Sequence, residues 1–502
     1  MADQNRLTDA RLTDARLTDA RLTGPEPSGT DLSGATPAAA PHPAPSGLLA
    51  ARLALRVEEL HAAGLGRSAL QLDGLPAPAR AATPGSTHRT SAGQSPSPAL
   101  VHVQGRPLLH FAGNDYLGLA ADEAWRATVA DCFARHAPSG TASRLAAGHT
   151  ALAAEAEAAW ADYFGYAECL FLPSGYQANL ALLWGLLGHG DAVFLDRRVH
   201  ASMAHALPPT GARLHTHRHA DMGDLSRRLA AWRHNSDNGR GGNDGPPACG
   251  TACAPQPVIL AESLYSMDGT LPDMARLSVV AREHGAFVVV DEAHAFGALG
   301  TGGRGRAHGV ADVAVGTLGK ALGLFGAFLL LPRGTRNALE NLASPLIHST
   351  ALPEAHAACC LALLDLLPRL DDRRHHLAAL GAALRTGLRD EGVPVREGAH
   401  VVCVDVGDEE RCTRLAARLR TPEDDGPGVL ALAARHPTVG RGAAMLRLGL
   451  TALHRVDDVA RCVDLLARAW KEEEEGKRGA APDPAAPDSE ANTAGSTPGE
   501  QS

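Results

Sequence analysis

The feature that most limits the fold of this 502-residue chain is a series of short apolar runs set between helical stretches from about residue 120 to 331. The runs cover residues 169–172, 192–195, 258–261, 287–290 and 328–331. They are too short for buried helices, and continuous apolarity suits strands covered on both faces. Strands alternating with helices predict βαβ units, right-handed crossovers and a mainly parallel sheet in an α/β domain. Such sheets bind ligands beyond the carboxyl ends of their strands. Ser174, Asp196, Glu262, Asp291 and Lys320 all fall at those ends.

The remaining chain divides around this core. The pentapeptide RLTDA repeats over residues 6–20, and a Pro/Ala/Gly/Ser stretch follows, so residues 1–46 read as a disordered tail. Leu49, Leu53, Val57 and Leu60 recur at i, i+4, i+8 and i+11 and predict a helix over 48–61. Residues 100–103 and 107–111 about Gly105 read as a strand pair. These form an N-terminal segment, 47–110, ahead of a large domain at 111–345 and a smaller α+β domain at 346–472. Residues 233–256 are too rich in Gly, Asn and Pro for regular structure and read as a loop insertion. Residues 473–502, beginning in a Glu-rich run, read as a disordered acidic tail.

Composition removes several functions. A net charge of −9 with no basic stripe argues against a nucleic-acid partner. The most apolar stretch, residues 321–331, is too short to cross a bilayer, and the N-terminus has no apolar signal core. Nine scattered cysteines without paired CxxC spacing read as reduced thiols in a cytoplasmic protein, with no metal site. His215, His217 and His219 alternate as on an exposed strand or loop, which is the reading adopted over metal ligation.

Chemistry concentrates in VVVDEAH, residues 288–294, and GTLGKALG, residues 316–323. DEAH at a strand end is also a nucleotide-hydrolase box, but those enzymes need GxxxxGK[ST] on an earlier strand. Here Lys320 follows DEAH, Ala321 follows the lysine, and Ala314 occupies the position of the loop's first glycine. Taken alone, DEAH reads more readily as the end of an ordinary buried strand in a solvated acidic turn. An acid able to hold a ring nitrogen together with an amine able to form an imine is the pair a pyridoxal 5'-phosphate (PLP) enzyme requires.

From about residue 48 to 470 the chain resembles the α-oxoamine synthases, fold-type I PLP-dependent transferases. Within them it is most similar to the 8-amino-7-oxononanoate synthase branch. The similarity is carried, in order, by FAGNDYLGLA, SGTASRLAAGHT, FLPSGYQANLALL, DRRVHASM, ESLYSMDGTLPDM, VVVDEAHAFGALGTGGRGR, GTLGKALG, HSTALPEAHAA and LRLGLTALH. The resemblance implies a mainly parallel seven-stranded sheet and a homodimer with shared active sites. It implies that Lys320 holds the cofactor's aldehyde carbon, Asp291 pairs with its pyridine nitrogen, His200 stacks on its ring and His294 reaches its phenolic oxygen. Ser174, Gly175, Tyr176 and Thr317 are then phosphate ligands, and Ser349 and Thr350 come from the neighbouring subunit. Ser266 and Glu262 are cofactor-facing or lie behind such groups.

A planar guanidinium suits a carboxylate, and Arg447 resembles the arginine with that role. Asn114 is a candidate substrate contact, and Arg435 is a candidate near the acyl substrate whose alternative is a surface charge. The implied reaction is decarboxylative condensation of L-alanine with pimeloyl-CoA or pimeloyl-acyl-carrier protein in biotin biosynthesis. Alternatives are glycine or serine with another acyl thioester, or a noncatalytic subunit. Leu324 and Phe325, where relatives commonly have small residues, and Arg144 and Leu145, in a variable glycine-rich loop, depart from the pattern and bear on the acyl pocket.

Overall fold

A computed structural model of the chain describes residues 47–62, 66, 69–75, 97–237 and 256–479. The RLTDA tail, Cys249 and Cys253, residues 238–255 of the insertion, and residues 480–502 lie outside the described residues. The chain divides into two compact units, Met1–Arg67 and Ser68–Ser502. In the first, the helix Gly47–Ala62 carries the expected row of apolar positions.

The second unit opens with β1 (Leu100–Val103) and β2 (Arg106–His110), an antiparallel hairpin. Its two-residue turn places both Gln104 and Gly105 at positive φ, 52° and 76°, the twist that suits the flanking strands. Seven strands then share one sheet: β3 (Glu168–Leu172), β4 (Ala192–Asp196), β5 (Arg213–His217), β6 (Pro257–Glu262), β7 (Phe287–Asp291), β8 (Val313–Thr317) and β9 (Ala327–Leu331). Their order is β3-β9-β8-β7-β6-β4-β5. Only β9 runs antiparallel to its neighbours.

Alternation of side chains across the sheet builds two packed faces. Leu195, Leu260, Val289 and Val315 meet the helices Gly175–Leu186 and Ala201–Ala206 on one side. Phe194, Ile259, Val288 and Val290 meet the helices Met222–Asp237 and Met274–His284 on the other. Toward β3 and β9, Phe328 and Phe171 pack edge-on to Trp160 of the helix Ala151–Phe164, with ring centroids 4.7 and 5.5 Å away.

Four more strands follow: β10 (Val401–Gly407), β11 (Gly428–Leu430), β12 (Leu432–Ala434) and β13 (Ala444–Gly449). β10, β13 and β12 form an antiparallel sheet, whereas β11 adds in parallel to β2 and so ties residues near 430 to the N-terminal hairpin.

The last helix runs from Val456 to Gly479, past residue 472, after which the acidic tail was expected to begin. The acidic run is helical because its partners lie across the interface. Glu472, Glu473 and Glu474 pair with Arg418, Arg414 and Arg411 of the helix Glu409–Arg420, and Arg411 sits 4.0 Å over the Trp470 ring.

Packing also explains the first glycine of GTLGK. A Cβ on Gly316 would stand 2.1 Å from the Phe328 ring, so the strand that leads to Lys320 is seated against the aromatic cluster by lacking a side chain. Gly316→Ala is expected to lower stability by about 1–3 kcal/mol through overpacking. Phe328→Leu should relieve part of that loss in the double variant, which a urea or thermal double-mutant cycle measures.

Candidate active site

The parallel register of β6 and β7 pairs Glu262 with Asp291 at the carboxyl edge of the sheet. Asp291 Oδ1 accepts from the Ala293 N–H at 2.9 Å, and Oδ2 accepts from Asn179 Nδ2 at 3.0 Å. The same Asn179 nitrogen donates to Ser202 Oγ at 2.9 Å, and that hydroxyl is hydrogen-bonded to His200 Nδ1 at 2.8 Å. His200 caps the helix Ala201–Ala206, its ring accepting from the Ser202 N–H at 3.3 Å. Burial pushes the His200 pKa down; the Asp291 carboxylate opposes that, and the Lys320 charge reinforces it. Glu262 is buried, and burial together with the Asp291 charge holds its carboxyl well above the usual range. Its Oε1 has no hydrogen-bond partner among the described residues.

Lys320 lies three residues past β8, and its Nζ is 2.6 Å from His294 Nε2. Burial lowers the lysine to about 8, a fall that Asp291 and Glu262 partly offset and Arg447 adds to. His294 is pushed well below its ordinary value, first by burial and then by the Lys320 charge, so its ring is neutral at pH 7. Its Nδ1 is hydrogen-bonded to Tyr116 Oη at 2.5 Å, and burial raises that phenol to about 12. Arg447, buried in β13, donates from Nε to the Ser266 carbonyl at 2.6 Å and from Nη2 to Asn114 Oδ1 at 2.8 Å and Tyr116 Oη at 3.2 Å. An unbroken line of contacts therefore joins Arg447 to Lys320 through Tyr116 and His294.

Ser174 caps the helix Gly175–Leu186 by accepting from the Gln177 N–H at 3.2 Å. Across from it, a Cβ on Gly175 would come within 3.9 Å of Thr317 Cβ. The bare turn and helix N-terminus, the elements an anion site requires, thus lie beside Thr317, whose hydroxyl donates to the Gly326 carbonyl at 3.2 Å. Tyr176, the next residue, is exposed and hydrogen-bonded to His205 Nδ1 at 2.9 Å. Ser349 Oγ accepts from Gln177 Nε2 at 2.7 Å within the same chain, and Thr350 forms an isolated bridge with Ser143. Both line a cavity of about 40 Å³ beside Gln177.

Arg435 follows the end of β12 at which Ala434 pairs with Met445, while Arg447 pairs with Leu432 at the other end. Of the departures, Leu324 is buried and Phe325 exposed. Arg144 is committed to Glu157, through two contacts of 2.8 Å, and to Glu340 at 2.7 Å. Asn179, Ser202 and Tyr116 were not singled out from the sequence. The available signal was a polar residue at a helix position otherwise surrounded by buried apolar ones, as Asn179 is between Ala178 and Ala181.

These groups fit PLP: a desolvated amine, an acid that keeps two donors, neutral imidazoles, and a side-chain-free turn at a helix N-terminus. The class I and II aminotransferase family matches residues 106–466. Similar curated proteins include the 8-amino-7-oxononanoate synthase of Acidithiobacillus ferrooxidans, 38% identical over 383 residues that span 75% of this chain and 90% of that protein. That of Stutzerimonas stutzeri is 37% identical, spanning 75% and 91%. The chain belongs to the α-oxoamine synthases of this PLP-dependent family.

Solved structures agree on the fold. Sphingomonas wittichii serine palmitoyltransferase superposes with a TM-score of 0.69 at 24% identity, over 86% of this chain and 98% of that one. The 8-amino-7-oxononanoate synthase of Francisella tularensis gives 0.59 at 22%, over 73% and 99%. Among the described residues, no helix of this α-oxoamine synthase is long and apolar enough to cross a membrane.

The electrostatics of Lys320 are directly testable. In protein freed of PLP, reductive methylation of Lys320 should rise with a midpoint near pH 8, the value burial gives it. Because the Asp291 carboxylate favours the ammonium form, Asp291→Asn should move that midpoint lower; a shift upward would show that Asp291 does not act on the amine.

Proposed function

We propose that this chain catalyses the decarboxylative condensation of L-alanine with a pimeloyl thioester, CoA- or acyl-carrier-bound, to 8-amino-7-oxononanoate, CO2 and the free thiol carrier. The observation that carries the reading is the buried Arg447, linked through Tyr116 and His294 to a desolvated Lys320. A carboxylate receptor and a proton-transfer group thereby share one site. The names of the curated relatives support the choice of alanine and pimeloyl.

When bound, PLP supplies an electron sink for charge developing at the α-carbon of the amino acid. In this reading Lys320 would hold it, Asp291 would pair with its ring nitrogen, and His200, His294 and Ser266 would contact the rest of the ring. Ser174, Gly175, Tyr176 and Thr317 take its phosphate, and Ser349 and Thr350 are supplied to the site by a second copy of the chain. Arg447 binds the amino-acid carboxylate through Nη1, the nitrogen that Ser266, Asn114 and Tyr116 leave uncommitted, with Asn114 fixing the guanidinium plane. Displaced from the cofactor by the amino acid's own nitrogen, Lys320 Nζ would be free to take the α-proton and to return one to the product carbon. A lysine lowered to about 8 exchanges protons readily near neutral pH. Neutral His294 accepts from or donates to that amine without adding a positive charge. Arg435 is assigned to the acyl substrate.

Substrate choice is settled by offering L-alanine, glycine and L-serine with pimeloyl, acetyl, succinyl and long-chain thioesters and weighing the products. Alanine with pimeloyl thioester should dominate, and preference for glycine or serine would overturn the assignment. Arg447→Lys keeps the charge but loses the planar, pre-oriented donors. Hydrogen bonds to charged groups contribute about 1.5–3 kcal/mol, so the KM for alanine should rise roughly 10- to 150-fold while PLP still binds.

A further inference from the structure

We propose that Asn179 and Ser202 are positioning residues that fix His200 as the Nε2–H tautomer and couple its ring to the charge on Asp291. The inference rests on the cofactor site proposed above, and it follows from counting hydrogens along one buried chain of contacts. Asp291, in the role of partner to a protonated ring nitrogen, is a carboxylate and can only accept. The Asn179 amide must therefore turn its nitrogen, not its oxygen, toward Asp291 Oδ2, at 3.0 Å. The same nitrogen faces Ser202 Oγ at 2.9 Å, so its second hydrogen is given to the serine oxygen.

With its oxygen accepting, the Ser202 hydroxyl has its one hydrogen free for His200 Nδ1, 2.8 Å away. The Ser202 backbone N–H, which can only donate, points at the same nitrogen from 3.3 Å. Nδ1 is an acceptor from both directions, and the ring proton is left on Nε2.

Two further observations separate this from ordinary core packing. Asn179 and Ser202 are buried, 1% and 0% exposed, on two different helices, and they join groups that lie 91 residues apart in the chain. Asn179 also leaves its own Oδ1 buried without a partner among the described residues. An amide that only filled space would be better replaced by leucine. This one holds a position where its two hydrogens are needed and its oxygen is not.

The consequence is directional. A shift of charge at Asp291 is transmitted through the amide and the hydroxyl to Nδ1, so the His200 ring is oriented by the acid at the other end of the chain of contacts. Loss of the Ser202 hydroxyl frees the imidazole to rotate or to change tautomer. Loss of Asn179 also removes one of the two donors that orient Asp291.

The test uses the full-length, PLP-loaded protein labelled with 15N-histidine, with His200→Asn identifying the His200 signals. The wild type should show a hydrogen-bonded, unprotonated Nδ1 and a protonated Nε2. Ser202→Ala should shift the Nδ1 signal and lower kcat about tenfold with KM for the amino acid little changed, and Ser202→Thr, which keeps the hydroxyl, should restore both. Asn179→Leu should move the pH dependence of the bound-PLP absorbance as well. A wild-type ring protonated on Nδ1, or a Ser202→Ala spectrum identical to wild type, would overturn the proposal. Because the ring signals are read without substrate, failure of the alanine and pimeloyl assignment would leave them unchanged and be seen separately in the product assay.

Discussion

The side-by-side placement of Glu262 and Asp291 governs the site. Parallel register makes them neighbours on adjacent strands, at the edge where ligands bind in such sheets. Two buried carboxyl groups at that spacing resist ionising together. The surroundings distinguish them: Asp291 receives a backbone N–H and the Asn179 amide, while Glu262 keeps one oxygen unpartnered and is held far above its ordinary value. One acid is thereby given the means to oppose a cation, and the other is kept in its neutral form. The Asp291 carboxylate is then the first of the groups that resist the downward pull of burial on Lys320.

The amine in turn acts on the histidines. Lys320 and burial both keep His294 neutral, and both depress His200. Neutrality is what allows each ring to donate at one nitrogen and accept at the other. Arg447 completes the arrangement from a different sheet, reaching the Ser266 carbonyl and the Asn114 side chain, so three distant parts of the chain meet at one guanidinium. The small antiparallel sheet is therefore part of the site, since β13 fixes where that guanidinium stands.

Much of this was legible in the residues, and the gaps have physical causes. Five strands of the large sheet were readable because strands covered on both faces are apolar throughout. β5 was not, since it lies at the edge and exposes Leu214 at half its surface, and β8 holds only three apolar residues in Val-Ala-Val before Gly316. The helical Glu472–474 run was hidden because its stability depends on arginines some sixty positions away. Lys320, Asp291 and His200 stood out through motifs, whereas Asn179, Ser202 and Tyr116 act only through partners that folding supplies.

The histidine triplet, two residues on β5 and His219 just past its end, makes the same point about context. His215, His217 and His219 have the spacing of a metal-binding strand, yet each is used differently. His215 stacks on Phe194 at 4.7 Å, and burial lowers its pKa. His217 is buried and hydrogen-bonded to the Arg218 carbonyl at 2.9 Å, and it is lowered too. His219 stands between Asp196 at 2.9 Å and Asp268 at 3.1 Å, and those carboxylates outweigh burial and raise it. It thus stitches the end of β4 to the loop after β6, the loop whose Ser266 carbonyl holds Arg447. Residue type and spacing are shared across the three. What separates a packed ring from a clamp is whether a carboxylate faces it.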